Sequence, residues 1–218
     1  MNLLLLLSLP AAASDARLEA LLADAGWDVA GQGSHELLGD VELALKQVTG
    51  TQCLRGRAQV SASPERMLEV VQDIEGALSW SKAGLVDTRV LARTGSGIDY
   101  LQVLDVPDWT AAADRYWVLR GQASNPGGAQ VFSWDRFDWR SAFPDLASEL
   151  ATTRPKAVEP DPNFGAWAFR STGSTSTITY YLCTESGSLP QWLQKAAATR
   201  TVPAAMADVV REAQRRAR

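Results

Sequence analysis

The chain has 218 residues, of which 46% are hydrophobic and 21% are charged, as expected for a single soluble globular domain. Its formal net charge of −4 argues against nucleic-acid binding, because proteins that bind nucleic acids usually carry a basic patch. Two cysteines and one histidine are too few for a zinc site of the usual kind, so we expect no metal and no cofactor. Nothing in the composition demands more than a monomer.

Residues 1–13 form an apolar segment in which leucines at positions 3–7 precede three alanines at positions 11–13. This segment is shorter than the roughly 20 residues that cross a bilayer. It fits the core of a secretory signal peptide cleaved after Ala13, although no Lys or Arg stands at its start. We therefore expect a secreted or periplasmic protein whose single domain comprises residues 14–218. A frayed apolar N-terminus or a misassigned start codon is the alternative.

Hydrophobic periodicity predicts the next elements in chain order. Leucines at helical spacing predict a helix over residues 15–25, and strict alternation predicts strands over 41–46 and 52–60. The inward-facing set of the second strand is Leu54, Gly56, Ala58 and Val60. Ser63 followed by Pro64 is typical of a helix start, since serine caps the helix and proline suits its first position.

The middle of the chain alternates in the same way. Strands are predicted over residues 85–93, 98–106, 115–123 and 130–139, with a glycine-containing hairpin turn joining the first two. Residues 140–155 are expected to be irregular or to form one short helix, and residues 156–159 a brief strand. No domain boundary is indicated.

The last third of the chain carries the clearest signal. Gly165, Trp167 and Phe169 alternate along one strand, and residues 175–184 form a second strand rich in Thr and Tyr. A long alanine-rich helix follows, bent or interrupted at Pro203 because proline lacks a backbone N–H. The order of the elements predicts one α+β domain.

This order of elements, with these residues, resembles the START lipid-transfer domains and the wider superfamily of polyketide cyclase-like proteins, in a bacterial exported form. The resemblance covers about residues 18–216. The motifs that carry it are Ser61-Ala62-Ser63-Pro64-Glu65, Trp80, Asp114-Arg115, Gly165-Ala166-Trp167-Ala168-Phe169 and Gly187-Ser188-Leu189-Pro190-Gln191-Trp192-Leu193. The sequence departs from the family at 184–187, where Asp-Pro-Gly-Gly is usual, and in an apparent extension at 140–155.

The resemblance implies the helix-grip fold, in which a curved antiparallel sheet wraps around the long C-terminal helix. It also implies an internal apolar cavity that holds a lipid, a sterol or another apolar molecule. The helix stripe itself favours such a cavity, because its middle carries alanine where a core helix usually carries larger side chains. The alternative is that the stripe simply packs on the sheet.

Candidate ligand-binding residues come from the helix stripe and from the strands opposite it. The helix contributes Trp192, Leu193, Ala196, Met206 and Val210. The strands contribute Tyr100, Gln102, Leu104, Trp117, Trp134, Trp167, Ile178, Tyr180 and Leu182. The more apolar set of each strand is taken as inward, and a slip of one residue would reverse that assignment.

The two cysteines, Cys53 and Cys183, both occur in strand-like segments. Export would permit a disulfide between them. We expect at least one strand to separate them, whereas a disulfide needs Cα atoms within about 7 Å. Two free thiols are therefore the favoured interpretation, with the disulfide as the alternative.

Motifs for catalysis are absent from the sequence. It contains no phosphate-binding loop and no nucleophile elbow, and the single His35 lies in a glycine-rich segment, 31–39, outside the predicted core. We expect a carrier without catalytic residues that binds one apolar molecule and contacts membranes transiently. A cyclase or dehydratase using the same cavity and a non-catalytic interaction module with a filled core are the alternatives. The predicted gates are the loop after Trp80, the segment 140–155 and the bend at Pro203.

Overall fold

The computed structural model describes the backbone of residues 9–95, 97–106, 113–184 and 191–218, and their side chains except for residues 9–14 and 191–198. The described residues form nine strands: β1 (Asp28–His35), β2 (Gly39–Val48), β3 (Thr51–Val60), β4 (Leu85–Thr94), β5 (Gly97–Leu104), β6 (Arg115–Ser124), β7 (Gln130–Arg136), β8 (Asn163–Thr172) and β9 (Thr175–Thr184). They also form six α-helices: α1 (Leu9–Leu22), α2 (Pro64–Gln72), α3 (Ala77–Trp80), α4 (Trp139–Ala142), α5 (Pro144–Thr153) and α6 (Gln191–Arg216).

The strands pair into one antiparallel sheet in the order β1-β2-β3-β9-β8-β7-β6-β5-β4. The C-terminal helix α6 packs on one face of this sheet, which we call the inner face, together with α2. The predicted α+β class, a curved antiparallel sheet around a long C-terminal helix, is confirmed. The helix runs through Pro203 without ending there.

The edge strand β1 was not expected from the sequence. Its segment lacks the apolar alternation of the other strands, yet it pairs with β2 along its length, with a bulge between Val29 and Gly31. A Cβ atom on Gly33 would lie 2.7 Å from Cγ of Pro203 and 2.9 Å from the carbonyl oxygen of Thr199. The glycine therefore lets α6 rest directly on the strand backbone, which is why no large apolar side chain marks this strand.

Helix α2 begins where the sequence predicts. The Ser63 side chain accepts a hydrogen bond from the backbone N–H of Arg66, and Pro64 occupies the first turn. Met67, Val70 and Val71 are buried on one side of the helix against the inner core.

The outer face of the sheet is also covered. Leu21 of α1 packs with Phe164 and Tyr181, while Trp139, Leu146 and Leu150 of α4 and α5 pack on β5 and β6. The segment 140–155 therefore lies on the side of the sheet away from α6, and its predicted role as a lid over an inner cavity is wrong. The predicted strand at 156–159 is reduced to one isolated bridge between Val158 and Arg115.

The two cysteines form a disulfide, which corrects the expectation of free thiols. Strand β9 pairs directly with β3, so Cys53 and Cys183 lie opposite each other, with Cα atoms 4.3 Å apart. This spacing is close to that of a non-hydrogen-bonded antiparallel pair. The assumption of an intervening strand was wrong because the last hairpin returns to the strand that precedes α2.

Helix α1, described from Leu9 onward, includes the position after which cleavage is predicted. The signal peptide and the mature domain of residues 14–218 stay predictions. Among the described residues, no helix has both the length and the hydropathy needed to cross a membrane.

Candidate functional site

A cavity of about 320 Å³ lies between the inner face of the sheet and the helices α2, α3 and α6. Its walls come from β4 to β9, from the end of α2, from α3 and the loop that follows it, and from Ala205 and Val209 of α6. Among the described lining residues, none belongs to β1, β2 or β3. The cavity thus occupies one half of the inner face only.

The other half of the inner face is filled by α6. A Cβ atom on Gly56 of β3 would lie 2.4 Å from Cγ1 of Val202 and 2.9 Å from Sδ of Met206. Both helix side chains are buried, and they join Val41 and Val210 in the inner core. Close approach at Gly33 and Gly56 therefore holds the helix against β1 and β3, away from the strands that form the cavity.

Aromatic rings form the wall of the cavity on the sheet side. Trp167 stacks on Tyr180 with ring centroids 4.0 Å apart, and Trp134 lies 6.0 Å from Tyr180. A Cβ atom on Gly165 would lie 2.4 Å from Cζ2 of Trp134, so this glycine lets the indole lie flat against β8. Gly121 plays the same part for a second ring, since its Cβ would lie 2.3 Å from Cζ of Phe132. The result is a rigid, flat and largely apolar surface.

Two indole N–H groups are tied to amides at the cavity wall. Nε1 of Trp117 donates to Oε1 of Gln102 at 3.0 Å, and Nε1 of Trp134 donates to Oδ1 of Asn163 at 3.1 Å. These bonds fix the orientation of both rings and both amides, because a buried indole needs an acceptor.

Two tyrosine hydroxyls border the same space. Burial raises the pKa of Tyr100 well above its ordinary value, with a smaller contribution from neighbouring Tyr180. Burial likewise raises the pKa of Tyr180 to about 12. Both hydroxyls therefore stay protonated at physiological pH and serve as hydrogen-bonding groups rather than as bases.

The loop after α3 is bound to the C-terminal helix. The backbone N–H of Lys82 donates to Oδ2 of Asp208 at 2.7 Å, and Arg211 donates to the other oxygen of the same carboxylate. Ser81 and Ala83 of this loop line the cavity. One buried carboxylate thus holds part of the cavity wall in place.

A second ion-pair group joins α6 to the end of α2. Glu212 is buried, accepts hydrogen bonds from Arg215 and Arg216, and has a pKa lowered to about 2, chiefly by the bond from Arg215. Arg216 also pairs with Asp73, a residue of the cavity lining. Among the described residues, no cluster of His, Cys, Asp or Glu could hold a metal ion.

The structure brings most of the predicted strand residues to the cavity. Those that line it are Tyr100, Gln102, Leu104, Trp117, Trp134, Trp167, Tyr180 and Leu182. Ile178, Met206 and Val210 do not line it; they are buried in the packed core where β9, β3 and α6 meet. The side chains of Trp192, Leu193 and Ala196 lie outside the described residues.

Met206 and Val210 were assigned to the cavity wrongly for a simple geometric reason. The lining residues Ala205 and Val209 each precede a predicted residue, Met206 and Val210, by one position. One residue rotates a helical side chain by about 100°, so the cavity faces the neighbouring stripe of α6. Met206 lies against Gly56 instead.

Other lining residues were not singled out from the sequence. Phe132 could have been found, since it shares the alternation of Trp134 on β7. Trp80, Arg115 and Asn163 also line the cavity, and each lies at or beside the end of an element where periodicity gives no direction.

Comparison with known proteins bears on the fold. No protein-family model and no curated protein matches the sequence. Among solved structures, human StAR-related lipid transfer protein 5 matches with a TM-score of 0.72 and 13% identity, over 95% of this chain and 96% of that one. Human STARD10 matches with a TM-score of 0.68 and 17% identity, over 92% of this chain and 78% of that one.

A biosynthetic enzyme shares the architecture more distantly. The Zhui aromatase/cyclase from Streptomyces sp. R1128 matches with a TM-score of 0.51 and 15% identity, over 76% of this chain and 95% of that one. At these identities the likeness shows the fold and not the activity. The chain has the START-like helix-grip fold.

Proposed function

We propose that this START-like domain is a carrier that binds one apolar or amphipathic small molecule in its internal cavity and shields it from water without catalysis. The observation that carries the proposal is the cavity of about 320 Å³ walled by Trp and Tyr rings and aliphatic side chains. Removing apolar ligand surface from water contributes about 2.5 kcal/mol per 100 Å². Binding then needs no catalytic group.

The size of the cavity favours a compact ligand. A volume of about 320 Å³ lies at the lower end of the roughly 300–1,000 Å³ found for small-molecule pockets. A phospholipid with two acyl chains greatly exceeds this size. We therefore propose a ring system, such as a sterol partly inserted, or a single acyl chain such as a fatty acid.

The opening is proposed to lie at the loop between α3 and β4. Residues of this loop line the cavity and are held by the bond from Lys82 to Asp208. Leu78 and Val86 flank the loop on either side and are 48% and 46% exposed. These two aliphatic side chains support transient contact of the opening with a membrane.

The opening is tested by replacing Asp208 with Asn, which keeps the shape of the side chain but removes its charge. We expect release of a bound fluorescent fatty acid to vesicles to become several times faster, because a charged hydrogen bond to the loop is weakened. Asp145→Asn, on helix α5 of the outer face, is the control. An unchanged release rate for Asp208→Asn would mean that the opening does not lie at this loop.

We further propose that the protein acts outside the cytosol, after cleavage of the signal at residues 1–13. The disulfide between Cys53 and Cys183 supports this location, since disulfides persist in oxidising compartments. A monomer without nucleic-acid partners remains our expectation.

A cyclase-type enzyme is the second candidate, favoured by the likeness to the aromatase/cyclase structure. Acid–base chemistry would need a cavity group that titrates near neutral pH. The raised pKa values of Tyr100 and Tyr180 keep both hydroxyls protonated, and Asp73 is engaged by Arg216. These features support the carrier over the enzyme.

Native mass spectrometry after gentle purification tests the proposal. A co-purifying apolar molecule that organic extraction removes is expected for a carrier. A ligand-free mass together with turnover of an aromatic polyketide-like precursor would favour the enzyme. A ligand-free mass with neither turnover nor uptake of added fatty acid or sterol would contradict both.

A further inference from the structure

The two amides at the cavity wall leave both NH₂ groups free to donate to a ligand, while each carbonyl oxygen keeps one free lone pair. An indole nitrogen donates a hydrogen bond and cannot accept one. The bonds from Trp117 and Trp134 therefore go to the carbonyl oxygens of Gln102 and Asn163 and not to their NH₂ groups. Neither NH₂ group forms a hydrogen bond with the described residues.

Other donors in the lining are the guanidinium of Arg115 and two hydroxyls that can also accept. The hydroxyls of Tyr100 and Tyr180 form no hydrogen bond with the described residues, although each belongs to the lining. A buried donor without a partner costs free energy, which a ligand acceptor would recover.

Acceptors in the lining are mostly occupied. Asp73 is the only carboxylate among the described lining residues, and its oxygens accept from the backbone N–H of Gly76 and from Arg216. The hydroxyl of Ser81 accepts from the backbone N–H of Ala83 at 3.2 Å. The side chains named above therefore offer more unpaired donors than unpaired acceptors, since the tyrosine hydroxyls can do either and each amide oxygen keeps only one free lone pair.

We propose that this cavity selects flat molecules whose buried polar group is a hydrogen-bond acceptor, such as a ketone, quinone or ester carbonyl. The inference rests on the proposed function and sharpens it by naming the chemistry of the ligand. A carbonyl accepts from two donors at once and needs no acceptor in return. A hydrocarbon leaves the donors unpaired, and an alcohol adds a donor that only the tyrosine hydroxyls and the second lone pairs of the amide oxygens could accept.

Three probes of matched shape test this selection: 9-fluorenone, 9-fluorenol and fluorene. All share one flat tricyclic frame and differ only at one carbon, as a ketone, an alcohol and a methylene. Their affinities for the full-length oxidised protein are measured by quenching of its tryptophan fluorescence. We expect fluorenone to bind about fivefold to tenfold more tightly than fluorene, as one net hydrogen bond provides.

Two variants locate the donors. Tyr180→Phe and Tyr100→Phe each remove a donor, and we expect the preference for fluorenone over fluorene to fall toward one in at least one of them. Tyr116→Phe is the matched control, because Tyr116 packs edge-on against Trp139 of the outer cluster. Fluorene binding in each variant reports whether its cavity is intact.

The outcomes separate this inference from the proposed function. Equal affinity for fluorenone and fluorene, or tighter binding of fluorenol than of fluorenone, would overturn the selection for acceptors while leaving the carrier in place. A preference unchanged in both cavity variants would also overturn it. Failure of all three probes to bind would overturn the carrier as well.

Discussion

The two halves of the inner face differ in how closely helix α6 packs against them. On the half formed by β1 to β3, glycines at positions 33 and 56 let α6 touch the strand backbone. On the half formed by β4 to β9, the glycines at positions 121 and 165 make room for aromatic rings of the sheet itself. The first half is closed by the helix, and the second remains open as the cavity.

The comparison shows how this chain makes a void in a close-packed interior. The described part of helix α6 presents Ala205 and Val209 to this void. The helix packs against β1 and β3, where glycines without a Cβ atom allow close contact. On the cavity side, contacts among the rings of Trp134, Trp167 and Tyr180 make the wall rigid. A cavity persists because the neighbouring walls cannot collapse into it without losing these contacts.

The disulfide joins the two halves, since Cys53 belongs to β3 and Cys183 to β9. Removing it should have the largest effect on stability. The bond closes a loop with a sequence separation of 130 residues, for which chain-entropy arguments give about 5 kcal/mol. We expect Cys53→Ala/Cys183→Ala to lower the free energy of unfolding by about that amount in urea titrations. A reductant should lower the free energy of unfolding of the natural protein by a similar amount and leave that of the double variant unchanged. Equal urea midpoints for all samples would mean that the disulfide does not stabilise the protein.

Gly56→Ala tests the closed half directly. The added Cβ would meet Val202 and Met206 at less than contact distance, and overpacking of this kind costs about 1–3 kcal/mol. We expect a lower urea midpoint with an unchanged slope. Val202→Ala removes the nearest atom, so the double variant should recover part of the loss. If the losses of unfolding free energy in the two single variants simply add in the double variant, then Val202 of α6 does not pack against β3 at Gly56.

The strands of the cavity half were largely predictable, and the helix and the edge strand were not. Alternation along β5 and β9 assigns Tyr100, Gln102, Tyr180 and Leu182 to the inner face, because side chains of a strand alternate strictly. The rotation of α6 depends on contacts with glycines, which leave no mark on hydrophobic periodicity.

The same reasoning explains the error at the cysteines. Local pattern predicts that residues 52–60 and 175–184 are strands, but pairing between segments so distant in the chain is a property of topology. The resemblance to START domains predicts a sheet wrapped around the helix, but the order of its strands was not predicted. Predicting the position of Ile178, Met206 and Val210 in the core required that order too.

Ala205→Leu tests the open half with a much smaller effect on stability. The larger side chain points into empty space, so we expect the free energy of unfolding to change by less than about 1 kcal/mol. Uptake of a fluorescent fatty acid should fall at least about tenfold, because the ligand loses volume and contact area. Ala204→Leu is the matched control, since Ala204 is exposed on the adjacent position of the same helix. Normal uptake by Ala205→Leu would place the ligand outside this cavity.

The ion pairs at the end of α6 should show as a modest pH dependence of stability. The folded protein holds the pKa of Glu212 at about 2, below the roughly 4.3 of an unfolded glutamate. Because the folded pKa is the lower one, its contribution is complete above the unfolded value and is lost as pH falls from about 5 toward 2. We expect Glu212→Gln to be less stable than the natural protein at pH 7 and to lose less stability on acidification to pH 3, in urea titrations at both values. Glu36→Gln, at an exposed position, should follow the natural protein at both pH values. If acidification lowers the free energy of unfolding equally in Glu212→Gln and the natural protein, then the ion pairs of Glu212 do not stabilise the fold. The contacts of α6 with β1 and β3 would then hold the helix in place by themselves.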